Sequence, residues 1–215
     1  MRPEFKNKGK SIERAESLLA ELPDQAPVDL IVLPEMALIG YRFEDKADIE
    51  PFLETVPTDI DALLAILDDA EENNQMPCTF KWALKVSRRF QSAWVAVGFA
   101  EKDTQGNLFN SALLVNFLLR KLHTTRKVLL YEDDKKWCNI EEEVSGIENN
   151  FKSFELEFPR LQKSIKCGVG ICMDINMKDF EEARYQERKL ADAQVAEKTQ
   201  MLIFMTAWCN PEPNY

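Results

Sequence analysis

Gly168-Val169-Gly170-Ile171-Cys172-Met173-Asp174 is a short apolar run that ends in a cysteine and then an acid. The stretch from Ile165 to Cys172 reads as a buried strand, with Cys172 where that strand runs out. A thiol in that position can face a pocket while the sheet holds its backbone. Two other strand ends carry polar chemistry. Pro34-Glu35 follows the apolar run from Asp29 to Leu33, and Arg126-Lys127 closes a run that begins at Leu118. A thiol, a carboxylate and an ammonium on three strand-to-loop junctions make a candidate nucleophile, base and charge stabiliser.

The remaining chain mixes helical and extended patterns. Ile12, Ala15, Leu18, Leu19 and Leu22 repeat at helical spacing, which predicts a helix from Ser11 to Leu22 with Ser11 as its N-cap. Further helices are expected over Asp59 to Asn73, Thr79 to Phe90 and Lys178 to Lys198. Strands are expected over Ala93 to Ala100, Asn110 to Asn116, Leu118 to Lys127 and Met201 to Thr206. Tyr131 to Asn150 reads as a long charged connection, and Phe151 to Phe158 as an edge strand or a long excursion. Several strands are continuous apolar runs, the pattern of sheets covered on both faces, so an α/β layered fold is expected.

The 215 residues suit one domain with a sizeable core. A formal net charge of -10, without a basic cluster, argues against a nucleic-acid surface. No apolar run is long enough to span a membrane, and Met1 to Lys10 has no apolar segment of a secretory signal. Five cysteines, at 78, 138, 167, 172 and 209, share no repeated spacing and read as reduced thiols of the cytoplasm or nucleus. With one histidine, His123, there is little material for zinc sites or Ser-His-Asp catalysis, and its ring is expected to be solvated. Taken singly the candidates are ordinary. A cysteine in an apolar strand is usually a small core residue, Glu35 reads equally as a helix-start acid, and Lys127 as a solvated strand end.

In order, Leu33-Pro-Glu-Met-Ala-Leu-Ile-Gly-Tyr41, Phe109-Asn-Ser-Ala112, Arg126-Lys127 and Gly170-Ile-Cys-Met-Asp174 resemble the nitrilase, or carbon-nitrogen hydrolase, superfamily. The resemblance implies an αββα four-layer sandwich and a single carbon-nitrogen hydrolase domain over residues 1–215. That sandwich is expected to be incomplete, lacking an opening strand and further strands and helices beyond Tyr215. The Arg-Phe-Pro-Glu segment that many members carry after the cysteine is absent. Ile171-Cys-Met-Asp174, Leu130-Tyr131, Trp137 and Thr206-Ala-Trp208 instead look like the branch that deamidates N-terminal asparagine and glutamine.

That resemblance implies a catalytic set of Glu35 as base, Lys127 as oxyanion stabiliser and Cys172 as nucleophile, working through a thioester without metal or organic cofactor. Asp134, seven residues past Lys127, or its neighbour Glu132, is expected to fill the place of a second family carboxylate. Asp174 is the candidate to meet the substrate's α-ammonium, or else to orient backbone amides, and Tyr41 and Trp208 are expected to wall the pocket. The implied partners are protein or peptide N-termini bearing Asn or Gln and neither nucleic acid nor membrane, and a homodimer is one state open to the chain, as to many members of the superfamily. The implied setting is the Arg/N-degron pathway in the cytoplasm or nucleus. An amidase for a small free ω-amide, or a non-catalytic remnant that binds peptide ends, are the rival readings.

Overall fold

The computed structural model describes residues 1–23, 26–57, 60–61, 78–91, 93–176 and 187–207. Two sheets carry the molecule. In the first, β1 (Leu30–Val32) lies parallel to β2 (Trp94–Lys102), which runs antiparallel to β3 (Leu108–Asn116), and β4 (Lys121–Arg126) closes the order β1-β2-β3-β4. In the second, β5 (Ser153–Phe158) pairs antiparallel and β7 (Met201–Met205) parallel with the central β6 (Lys163–Ile171).

Alternation along β2 and β3 gives the first sheet two apolar faces. Val95, Val97, Phe99, Leu113 and Val115 share a core with Ala15 of α1 (Lys8–Leu19) and with Phe80, Ala83 and Leu84 of α3 (Thr79–Arg89), which follows the short α2 (Lys46–Ile49). Trp94, Ala96, Ala112 and Leu114 point the other way and pack with Leu156, Cys167, Val169, Ile171 and Ile203 of the second sheet. The outer face of β6 carries Gly168 and Gly170, and the last helix lies close over them. A Cβ at Gly170 would come within 2.7 Å of Leu190. Two sheets thus pack face to face between helices, the αββα order expected from the sequence.

Some expectations change. The first helix begins at Lys8, not Ser11. Asn7 caps it by accepting from the Lys10 amide at 3.1 Å, while the buried Ser11 hydroxyl is tied to the backbone of Glu4. His123 is not solvated. Its ring is stacked between Trp94 and Phe154, with centroids 5.6 and 4.6 Å away, because the second sheet closes over β4. The long connection after β4 contains two short helices, α4 (Glu132–Lys135) and α5 (Glu141–Ser145). The helix expected over 59–73 falls almost wholly outside the described residues. Of the one expected over 178–198, the described part is α6 (Lys189–Ala196). Phe151 to Phe158 does supply the edge strand β5. Among the described residues no helix is long and apolar enough to cross a membrane.

The position of Glu35 depends on a glycine of the neighbouring strand. The backbone of Pro34, Glu35 and Met36 lies directly on Gly98 of β2, where a Cβ would come within 2.7 Å of both Glu35 Cα and Met36 N. Gly98→Ala is therefore expected to lower the melting temperature and to displace Glu35. Gly9→Ala, whose Cβ meets nothing nearer than 3.8 Å inside α1, should be neutral or stabilise by up to about 1 kcal/mol. Equal melting temperatures for the two variants would contradict this packing. His123 offers a second check. Burial, and then Lys121, hold its pKa below the ordinary histidine value, so the unfolded chain binds the proton more readily. The stability linked to it is complete above about pH 6.5 and is lost as pH falls through the folded pKa. The urea midpoint should drop between about pH 7 and about pH 5, and less steeply in His123→Phe. The same slope in both proteins would refute the linkage.

Candidate active site

Three strand ends converge at one edge of the sandwich. Beyond β1, the Leu33 amide donates to the Ala96 carbonyl at 2.8 Å and the Ala37 amide to that of Gly98 at 3.2 Å, which clamps Pro34 to Met36 against β2. Met36 turns the chain with φ at 48° directly after Glu35. Beyond β4, the Lys127 amide donates to the Asn110 carbonyl at 2.8 Å. At the end of β6, Cys172 opens a 3-10 turn (Cys172–Ile175) with its own φ at 46°. Left-handed backbone at a non-glycine residue costs on the order of 1 kcal/mol or more and persists where the surroundings over-determine it. It flanks the carboxylate on one side and carries the thiol on the other.

The Lys127 ammonium is fully enclosed. Its three donors meet Glu35 Oε1 at 2.7 Å, Asp134 Oδ2 at 2.6 Å and the Tyr41 hydroxyl at 3.3 Å. Asn110 Nδ2 bridges the two carboxylates, donating to Glu35 Oε1 at 2.8 Å and Asp134 Oδ1 at 3.1 Å. Asp134 also accepts from the Tyr41 hydroxyl at 2.9 Å and the Tyr131 amide at 3.0 Å. The Ala207 amide, just past β7, donates to Glu35 Oε2 at 3.0 Å.

The electrostatics follow from burial. Desolvation works to depress the Lys127 pKa, but Asp134, Glu35 and Cys172 outweigh it and hold the ammonium charged well above the ordinary lysine value. Burial raises Glu35 against the opposing pull of Lys127, and Asp134 raises it further. Burial first, then Asp134 and Glu35, push the Tyr41 hydroxyl far upward, so it stays protonated. The Cys172 thiol is pushed up to about 11 by burial and by Glu35, with Lys127 pulling the other way. One buried cation faces two carboxylates and a neutral thiol, and a carboxylate with a raised pKa beside that thiol is placed to receive its proton.

The structure therefore brings Glu35, Lys127, Cys172, Asp134 and Tyr41 together and separates other candidates. Asp134, 0% exposed, takes the second-carboxylate position, whereas Glu132 is solvated and paired with Lys135. Tyr41 does not wall an open pocket; it is buried with its hydroxyl on Asp134 and Lys127. Asp174 takes the second of its two expected roles and orients backbone amides. Its buried carboxylate accepts from the amides of Val128, Leu129 and Ile171, and burial, opposed by those amides, raises its pKa to about 7. Trp208 lies outside the described residues. Asn110 had no assigned role in the sequence, although an asparagine within the largely apolar run from Leu108 to Val115 was a sign of it. An open hollow of about 440 Å³ between Ile140, Glu142, Glu143, Gly146 and Glu148 includes none of these groups, so chemistry rather than space locates the site. Among the described residues no group of three or more His, Cys, Asp or Glu side chains is arranged to hold a metal ion.

Residues 1–203 match the family described as carbon-nitrogen hydrolase. The protein N-terminal amidase of Saccharomyces cerevisiae is 26% identical over 224 residues, which cover 98% of this chain and 44% of the relative. That of Schizosaccharomyces pombe is 33% identical over 156 residues, covering 71% and 45% respectively. A crystal structure of N-terminal amidase superposes with a TM-score of 0.75 at 24% identity over 98% of this chain and 47% of the other, a likeness of fold. Other solved structures of N-terminal amidase carry an Asn-Glu-Ala or a Gln-Val peptide. The chain thus spans somewhat less than half the length of the curated relatives it matches. Matched along almost its whole length, with strand-end carboxylate, lysine and cysteine gathered at one edge of an αββα sandwich, the chain belongs to the carbon-nitrogen hydrolase family.

Proposed function

We propose that this chain carries the catalytic centre of an amidohydrolase that acts on the side-chain amide of an N-terminal Asn or Gln, releasing ammonia and leaving Asp or Glu. The observation that carries the reading is the buried ammonium of Lys127 held between Glu35 and Asp134, with the Cys172 thiol beside Glu35. The choice of substrate is supported by the names of the curated relatives and by the Asn- and Gln-bearing peptides in the related structures.

An amide carbon is a poor electrophile, so a covalent step and a prepared site for the oxyanion both help. Cys172 Sγ attacks the side-chain carbonyl carbon as Glu35 takes the thiol proton. The oxygen gains negative charge next to the Lys127 ammonium. Of that ammonium's three contacts the longest, to Tyr41 at 3.3 Å, is the one most readily exchanged for the oxyanion. The tetrahedral adduct collapses, Glu35 returns the proton to the departing nitrogen, and ammonia leaves a thioester on Cys172. Glu35 then draws a proton from water, which attacks the thioester and frees the acid and the thiol. Asp134 keeps Lys127 in place throughout, and Asn110 holds Glu35 beside it. The acidic first residue so produced is suited to arginylation, and we assign the reaction to the Arg/N-degron pathway in the cytoplasm or nucleus.

Mass spectrometry of short peptides beginning with Asn or Gln tests the substrate, with N-acetylated peptides and the Cys172→Ala chain as controls. Free-ended peptides should gain acid and lose ammonia, and both controls should stay at background. Equal conversion of acetylated peptides, or conversion of small free amides alone, would favour a different amidase. Peptide binding without turnover would favour a non-catalytic role. The role of Glu35 has its own test. Glu35→Gln should cut turnover by about 10²- to 10⁴-fold. Because Glu35 raises the thiol pKa, the same substitution should speed alkylation of Cys172 by iodoacetamide at mildly alkaline pH. Slower alkylation would contradict the electrostatic account.

A further inference from the structure

We infer that Asp174 is a positioning residue that holds the lysine of one sheet in register with the thiol of the other. Its catalytic consequence rests on the amidase reading of the site. Lys127 hangs from β4 in the first sheet and Cys172 from β6 in the second, and among the described residues no strand pairing joins the two sheets. What lies between them is an apolar core of Trp94, Ala112, Leu114, Leu156, Val169 and Ile203. Such contact is non-directional and does not by itself set a register. The reaction needs the ammonium and the sulfur at one fixed separation.

Directional bonds across the interface occur at both ends of the sandwich. At the end away from the site, Trp94 Nε1 donates to the Glu157 carbonyl at 2.8 Å, and Lys121 pairs with Glu157 and Arg160 with Asp29. At the catalytic end, the Ala207 amide reaches Glu35, and Asp174 supplies a further tie. Asp174 Oδ1 accepts from the amides of Val128 at 2.9 Å and Leu129 at 2.8 Å, the two residues directly after Lys127. Its Oδ2 accepts from the amide of Ile171 at 2.9 Å, the residue directly before Cys172. One carboxylate, 2% exposed, therefore joins the backbone next to the lysine to the backbone next to the cysteine.

A plainer role would be to cap the 3-10 turn that Cys172 opens. Capping uses the Ile171 bond alone. The bonds to Val128 and Leu129 reach another sheet and add nothing to that turn. The link also explains why a carboxylate stands here. Asparagine has one acceptor oxygen and one NH₂ group, so whichever way it sits it turns a donor toward an amide N–H and breaks one side of the tie.

The test compares the unaltered chain with Asp174→Asn. The variant should lower kcat by about 10- to 100-fold with little change in KM, as expected of a small misplacement of reacting groups. Lys127 lowers the thiol pKa, so the alkylation profile of Cys172 should also move to higher pH as the ammonium withdraws. A cap that serves only the turn would not couple the thiol to Lys127. A folded Asp174→Asn chain with an unchanged alkylation profile would overturn the inference. Hydrogen exchange of the unaltered chain decides the matter if the variant does not fold. The amides of Ile171, Val128 and Leu129 should then open with one common protection, and unrelated rates on the two sides of the tie would refute it. Alkylation and exchange need no substrate. A chain that ignores the peptides yet shows the shifted profile would therefore reject the amidase reading and keep the positioning role.

Discussion

A lysine ammonium with no access to water stays charged only when anions and hydrogen-bond acceptors surround it. In this chain that demand falls on Lys127, and it organises the site. One anion, Asp134, follows Lys127 by seven residues, while the other, Glu35 just beyond β1, is 92 residues away, and Asn110 crosses between them. Glu35 can reach the ammonium only through the folded sheet. The sheet must form before the charge can be enclosed, and once enclosed the cluster holds strand ends that would otherwise be loose loops. The arrangement also sets the chemistry, since two carboxylates around one cation leave Glu35 inclined to take a proton when the thiol offers it.

Backbone packing places these groups with little freedom. Pro34 to Met36 fits against β2 because Gly98 has no side chain, and the left-handed residue that follows Glu35 turns the chain at once. Cys172 uses a similar turn at the end of β6, and it stays buried at the edge of the core that also holds Cys167, Val169 and Ile171. Between the sheets the contacts are mostly apolar, and the few polar ties cluster at the two ends. The far end holds the sheets together, and the near end aligns the reacting groups.

Much of this was legible in residue order. Apolar strands that stop at Glu35, Lys127 and Cys172 can be seen without coordinates, because a two-residue alternation or a continuous apolar run survives in one dimension. Asp134 could not be separated from Glu132, since both sit in one acidic stretch and only the direction of α4 turns the first inward. Asp174 reads either as the partner of an α-ammonium or as an anchor for backbone amides, and Tyr41 as a pocket wall, because spacing along the chain does not show which donors a polar side chain meets. Their hydrogen bonds go to Val128, Leu129 and Ile171 in one case and to Asp134 and Lys127 in the other. His123 appeared solvated because Phe154, the residue that covers it, is remote in sequence and belongs to the other sheet.

By itself the sequence determined the kinds of element, the three strand ends and the chemical types that stand on them, because secondary structure answers to local pattern. Tertiary structure alone decided which acids are buried together, which donors are occupied and which aromatic faces meet. Those outcomes depend on through-space distance and desolvation, and neither can be read from spacing along a chain.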